Sequence, residues 1–467
     1  MCDRSGGRKK HGRGLMKTDR NMTETPICDF VRSYRESSPL RLHMPGHKGK
    51  SFVGCEGDDI TEIGGADSLY SACGIIKQSE ETASRLFGHE TFYSAEGSSL
   101  CIRAMLYLVL LYARGCGIKP VIAAGRNAHK TFISAAALMD IDVMWLCGEE
   151  QDSYLSCTVT AEQLESALSD MPEQPVAVYL TTPDYLGGIT PLADIAQVCR
   201  RRGILLLADN AHGAYLKFLP ESRHPVDLGA DMCCDSAHKT LPVLTGGAYL
   251  HISENAPKLF SERAKDALSL FGSTSPSYLI LQSLDRANAY LADYPRRLAE
   301  FLPVISSLKS ELAMMGFGIC GDEPLKLSLM TKQYGYTGTE LAALLARQNI
   351  HCEFADPDFL VMMFTPETGR DGADRLLAAL KRVPRRSALF DAPPRRSLPE
   401  QAMPPHDALM SPCEEIGAEQ SLGRIAGAVT VSCPPAVPVV MCGERIDESA
   451  VRAMRYYGIE KITVVKK

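Results

Sequence analysis

Short apolar runs recur between about residues 120 and 255, and each is closed by a polar group. The runs VIAA (121–124), VMWLC (143–147), VAVYLTT (176–182), ILLLAD (204–209), DMCCDS (231–236) and GAYLHIS (247–253) show little alternation. Continuous apolar runs of this length predict strands buried on both faces. The segments between them carry helix signals. Thr160 and Gln163 form a capping box ahead of Leu164, Ala167 and Leu168. Thr190 is placed to cap a second helix with Pro191 at its first position, and Gly203 stops it after Ile195, Val198 and Cys199. Strand–helix alternation predicts an α/β fold with a mostly parallel sheet covered on both faces.

On such sheets ligands sit beyond the carboxyl ends of the strands. Four polar groups follow the apolar runs directly: 126–129, 182–185, 209–212 and 236–239. They are expected to converge on one crevice. After residue 257 the pattern turns helical and then mixed. LKLSL (325–329) and LVMMF (360–364) read as strands around a helix at 340–348, which Thr337 and Glu340 would cap. Residues 383–405 are rich in Pro and Arg and read as a linker or surface excursion. A further strand (AVPVVMC) and a helix near 448–458 follow, and no internal repeat is found. The expected division is a disordered tail over 1–22, a large domain with an N-terminal arm over 23–295, a smaller α+β domain over 296–382, and a linker with a C-terminal segment over 383–467.

Apolar residues at 45% and charged residues at 23% suit a globular enzyme. A net charge of −6 speaks against nucleic acid as the main partner. The 16 cysteines are scattered, with no C-x-x-C pair and no zinc-type Cys/His spacing. They read as reduced thiols of a cytoplasmic protein, with no metal site expected. The apolar run 104–113 lies between Arg103 and Arg114 and falls short of the about 20 residues a membrane span needs, so a buried helix is expected. The basic first twenty residues lack a following apolar stretch and do not form a secretory signal; they read as a tail, or as an over-extended start upstream of Met16 or Met22.

Lys239 follows a buried strand, beside Ser236 and His238. A lysine in a cleft loses proton affinity through desolvation, which frees its amine as a nucleophile for carbonyls. A lone strand-end lysine would be a surface residue, but its neighbours favour the nucleophile. Asp209 closes ILLLAD, where a carboxylate is costly without a cation; a pyridinium nitrogen would be one. His212, three residues on, is within reach of the same ligand. His129 can stack on a flat ring. The Gly-Ser-Ser turn at 97–99 opens a helix and offers N–H groups and the hydroxyls of Ser98 and Ser99 to a phosphate. The order of these features matches pyridoxal-phosphate enzymes of fold type I.

The segments LRLHMPGHKGK, RNAHKTF, ADNAHGAYLKF, DSAHKTLPVLTGGAYL and STSPSYLILQSLD, with SLGRIAG and CPPAVPVVMCGERI near the C-terminus, resemble the motifs of the bacterial Orn/Lys/Arg decarboxylase family, in its shorter form without an N-terminal receiver-like domain. The resemblance spans 40–290 and, more loosely, 320–467. It implies a fold-type I large domain and smaller C-terminal domains, and pyridoxal 5'-phosphate as cofactor. The implied activity is decarboxylation of arginine, lysine or ornithine to agmatine, cadaverine or putrescine in polyamine metabolism. By resemblance Lys239 would carry the cofactor as a Schiff base, Asp209 would face the pyridinium nitrogen and His129 would stack on the ring. Ser98, Ser99, Ser236 and His238 would hold the phosphate, and His212 would lie near the ring hydroxyl and the reacting carboxylate. Ser275 would approach the phosphate of a neighbouring subunit, which implies a homodimer with shared sites.

Glu353, Asp356 and Glu444 are candidates for reading the distal cation of the substrate. The chain departs from the family pattern at Glu96, where Asn is usual, and at Cys433, Ala436 and Cys442. An aminotransferase or other α-carbon lyase on the same fold is the enzymatic alternative, which the HMPGHK motif disfavours. A non-catalytic cofactor-binding paralogue is the other, disfavoured by the intact set of Lys239, Asp209 and His129.

Overall fold

The structure is a computed structural model that describes residues 23–148, 153–394, 398–433 and 437–467, leaving aside the side chains of 430–438. The expected tail over 1–22, the Cys433 side chain and Ala436 lie outside the described residues.

The apolar runs form one seven-stranded sheet. Its strands are β1 (Glu90–Ser94), β2 (Val121–Gly125), β3 (Asp142–Leu146), β4 (Ala177–Thr181), β5 (Leu205–Asp209), β6 (Met232–Asp235) and β7 (Ala248–Ile252). Their order is β1-β7-β6-β5-β4-β2-β3. Strands β2 to β6 are parallel to their neighbours, whereas β7 runs antiparallel to both β6 and β1. Residues 236–247, which hold a single helical turn, join β6 to β7, and the chain returns antiparallel. Strand β1 adds the edge.

The helices of this part are α1 (Pro26–Glu36), α2 (Ile75–Phe87), α3 (Gly97–Cys116), α4 (Lys130–Leu138), α5 (Ala161–Asp170), α6 (Leu192–Arg202), α7 (Ala237–Thr240) and α8 (Lys258–Phe271). The capping box of α5 forms as its sequence predicts. Helix α6 begins one residue later than expected, with Pro191 in the cap position. The Thr190 amide is spent elsewhere, donating to Thr182 Oγ1 at 3.0 Å. Helix α3 is long and apolar enough to cross a membrane, but it lies against the sheet and packs on α4 and α8, with Leu100, Met105, Leu106 and Val109 fully buried.

Two long helices, α9 (Tyr278–Leu291) and α10 (Tyr294–Met314), lead to a four-stranded sheet of order β10-β11-β9-β8. Its strands are β8 (Gly318–Cys320), β9 (Lys326–Met330), β10 (Phe354–Ala355) and β11 (Phe359–Met363), covered by α11 (Gly338–Ala346) and α12 (Gly369–Lys381). Thr337 and Glu340 close the capping box of α11. The C-terminal part holds α13 (Pro405–Met410), β12 (Cys413–Gly417), β13 (Thr430–Cys433), β14 (Val437–Met441), α14 (Glu448–Tyr456) and β15 (Lys461–Val465). It is tied to the large sheet by Arg126, whose guanidinium meets both Glu444 oxygens at 2.6 and 2.8 Å; both side chains are 1% exposed.

Candidate active site

The carboxyl ends of β2, β4, β5 and β6 surround a cavity of about 330 Å³. All four strand-end groups contribute to its wall, through Asn127 and His129, Pro183 and Tyr185, Asp209 and His212, and Ser236 and Lys239. Ser98 and Ser99 line it from the start of α3, and Ile102 and Leu155 supply apolar wall.

Lys239 sits on α7, the single turn that follows β6. Its Nζ lies 2.9 Å from His212 Nε2. Burial pushes its pKa below the ordinary lysine value, against the pull of the Asp209 carboxylate. Burial, with Lys239 and Lys326 close by, pushes His212 well below its usual value, so the ring is neutral. Tyr185 packs against that ring with centroids 5.1 Å apart.

At the start of α3 the chain must turn sharply. Gly97 takes φ +72° and donates its N–H to Gly246 O at 2.6 Å, which binds the turn to the strand entering β7. This arrangement turns the first N–H groups of a 20-residue helix toward the cavity end that holds Ser98 and Ser99. Ser236 Oγ donates to Ser98 Oγ at 2.7 Å, so hydroxyls from two elements meet there. His238 lines the same end, its Nδ1 3.1 Å from Gly247 O, and burial lowers its pKa. Glu96, the residue that departs from the family pattern, accepts the Ser273 amide and ties this turn to the loop of Ser273–Ser277.

Asp209 is 2% exposed. It accepts from Tyr179 Oη at 3.3 Å and from the Ala211 amide at 3.2 Å, and it has no ion-pair partner among the described residues. A buried carboxylate placed this way calls for a cationic ligand. His129 caps α4, its Nδ1 accepting the Thr131 amide at 3.2 Å; the proton is therefore on Nε2, and burial keeps the ring neutral. Asn127 and Thr181 line the cavity with buried polar atoms that have no partner among the described residues. The donor set, the unpaired carboxylate and these orphaned groups together fit a pyridoxal phosphate: an anion end at α3, a flat ring beside His129, and an amine for its carbonyl.

Beneath α7 lies a network that sequence patterning misses. Asp235 is fully buried between His224 Nε2 at 3.3 Å, His251 Nε2 at 3.1 Å and Asn210 Nδ2 at 2.6 Å. Burial would raise its pKa, but the two histidines outweigh that and hold the carboxylate ionised. No sequence signal joins these residues, because His251 lies on β7, His224 in a loop and Asp235 on β6.

The remaining candidates part company. Glu353 reaches the site rim, accepting from Tyr185 Oη at 3.2 Å. Asp356 instead accepts the Asp358 and Phe359 amides at 2.7 and 2.6 Å and shapes the turn between β10 and β11; burial pushes its carboxyl up to about 6. Glu444 is held by Arg126, away from the cavity wall. Ser275 is exposed on the Ser273–Ser277 loop, its amide donating to Ser273 Oγ at 3.1 Å. Lys326, not anticipated from sequence, reaches His212 from the smaller sheet.

Comparison with known proteins bears on this geometry. The family model for the Orn/Lys/Arg decarboxylase major domain matches residues 25–315, and that for the family's C-terminal domain matches 389–462. An arginine decarboxylase of Bacillus subtilis (strain 168) is 29% identical over 460 residues, covering 91% of this chain and 92% of the relative. An arginine decarboxylase of Halalkalibacterium halodurans is 30% identical over 471 residues, covering 92% and 93%. Among solved structures, the lysine decarboxylase of Francisella novicida superposes with a TM-score of 0.78 at 17% identity, covering 96% of this chain and 82% of that one.

Proposed function

The chain belongs to the Orn/Lys/Arg decarboxylase family, and we propose that it removes the α-carboxylate of arginine, lysine or ornithine with pyridoxal 5'-phosphate as cofactor. The fold is that of fold-type I pyridoxal-phosphate enzymes, and the relatives make the chain a carboxy-lyase acting on basic amino acids. The observation that carries the cofactor reading is the cavity itself, where a free lysine amine, an unpaired buried carboxylate and a serine-lined helix start share one wall.

Pyridoxal phosphate, when bound, supplies an electron sink for the pair left on the α-carbon as CO₂ departs. Lys239 supplies the amine nucleophile, its hold on a proton weakened by burial. Asp209 would face the ring nitrogen of the cofactor and favour its protonated form. His129 presents a neutral ring face. Ser98, Ser99, Ser236 and His238 bind the phosphate. His212 Nε2, beside Lys239 Nζ, holds the proton needed at the reacting centre. Ile102 and Leu155 exclude water from it. Glu353, oriented by Tyr185, stands at the rim, where the distal cation of a basic substrate would arrive.

Self-association is part of the proposal. Leu40, Leu42, Phe52 and Val53 are all more than three-quarters exposed and flank the His-Met-Pro-Gly-His-Lys motif, an apolar strip suited to a second copy. Ser275 on its exposed loop would then serve the partner's site.

The test is an assay for CO₂ and amine product with arginine, lysine and ornithine, using chain loaded with the cofactor. Stoichiometric release of CO₂ and agmatine, cadaverine or putrescine is expected from at least one substrate. Keto-acid formation without CO₂ would overturn the reading.

A further inference from the structure

Lys326 stands in LKLSL, where alternation would turn Lys326 and Ser328 toward solvent. Instead both are buried, Lys326 at 2% exposure, because β9 is an inner strand whose second face lies against the large domain. A lysine buried so deeply needs partners for its charge. Its Nζ ion-pairs with Glu323 Oε2 at 2.6 Å, donates to Asp184 O at 3.0 Å, and lies 2.9 Å from His212 Nδ1. Tyr215 Oη donates to the other Glu323 oxygen at 3.3 Å, as suits a carboxylate.

An ammonium has hydrogens to give and no lone pair. His212 Nδ1 must therefore accept from Lys326. In a neutral imidazole the remaining hydrogen is then on Nε2, the nitrogen 2.9 Å from Lys239 Nζ. Among the described residues Lys326 is the hydrogen-bond partner of His212 Nδ1. Tyr185 packs on the ring but donates its hydroxyl hydrogen to Glu353.

We propose that Lys326 is a positioning residue that fixes His212 as the Nε2–H tautomer, so that the ring presents a donor, not an acceptor, to the reacting nitrogen at Lys239. The inference rests on His212 and Lys239 as the reacting pair of the proposed decarboxylase. It adds that the donor is set from the smaller sheet. The groups facing His212 are thus Lys239 from α7, Tyr185 from the loop after β4, and Lys326, with Glu323 behind it, from the smaller sheet. Displacing β9 from the large sheet would release the tautomer, so donor geometry and contact between the two sheets are one event.

The test uses the full chain loaded with pyridoxal phosphate and labelled with ¹⁵N-histidine. Two-bond ¹H–¹⁵N correlation reads each ring's tautomer, and the His212 signals are assigned by their loss in His212→Gln. The expected result is protonated Nε2 and bare Nδ1. Lys326→Met alone would leave the Glu323 charge buried and unpaired, so it is combined with Glu323→Gln. In that double variant His212 should become a mixture of tautomers or a protonated ring. The kcat should fall by about 10- to 100-fold with KM changed much less, a part of the roughly 10²–10⁴-fold that a positioned proton donor contributes. Lys326→Arg, which keeps a cationic donor, should restore the tautomer in part.

A protonated Nδ1 in the unsubstituted chain overturns the proposal, as does an unchanged His212 spectrum in the double variant. If the double variant does not fold, the spectrum of the unsubstituted chain decides alone. A chain that decarboxylates none of the three amino acids sinks the functional reading, while the tautomer measurement still answers for Lys326.

Discussion

Replacing Glu444 by leucine removes one half of a fully buried ion pair. In the native chain Arg126 is 1% exposed and spends two N–H groups on Glu444, while its Nε has no partner among the described residues. The substitution strands a guanidinium among Trp145 and the ends of β2 and β14. Breaking one side of such a pair costs about 3–5 kcal/mol, because the surviving charge keeps its desolvation penalty. With an unfolding entropy of about 2.1 cal/mol/K per residue, 467 residues give about 1 kcal/mol per degree. The melting midpoint should therefore drop by about 3–5 °C if the chain melts as one unit, and further if the C-terminal part separates first. Differential scanning calorimetry of Glu444→Leu, Arg126→Met and the double variant checks this. The double variant should recover most of the loss, since two apolar side chains replace a buried pair at little net cost. The reasoning fails if Glu444→Leu leaves the midpoint unchanged and raises KM for a basic substrate. That result would put Glu444 at the substrate, where sequence alone would have it.

Other outcomes follow from the site. Lys239→Met should abolish the visible absorbance of bound cofactor and all turnover. The same variant should melt higher than the native chain when both are cofactor-free. Burial lowers the Lys239 pKa, so the unfolded chain holds that proton more tightly, and stability is lost as pH falls below about 10.5 toward the lowered value. The gain from Lys239→Met, on the order of 1 °C per kcal/mol released, should be present at neutral pH and vanish above the ordinary lysine range; equal gain at both pH values would refute it. Glu353→Gln should raise KM for the preferred basic substrate by about 1.5- to 5-fold while kcat stays within about twofold, the scale of one rim-exposed charge pair. Steady-state kinetics decides, and an unchanged KM would remove Glu353 from the substrate's path.

The gathering of the four strand-end groups was legible because the strands are continuous apolar runs, and a parallel sheet brings their ends to one edge. Ser98, Ser99, His129, Asp209, His212, Ser236, His238 and Lys239 thus share one cavity. What escaped sequence reasoning depends on packing between distant elements. The reversal of β7 hides in a connection of twelve residues, long enough for either direction of return. The burial of Lys326 contradicts a clean alternation, because the face that alternation assigns to solvent meets another domain. Glu444 sits in a motif that looks substrate-facing, yet its partner lies 318 residues away on the large sheet. The Asp235 network joins three elements with no shared spacing.

Helix α3 has a consequence for how the protein is made. Folded, it lies between the sheet, α4 and α8, and its apolar surface is spent on packing. During synthesis it emerges first. Its partner α8 begins at Lys258, more than a hundred residues after α3 ends at Cys116. For that interval only α4 and the strands made in turn can cover a 20-residue segment with the length and composition of a membrane span. The face of α3 that packs on α8 therefore stays uncovered until α8 is made.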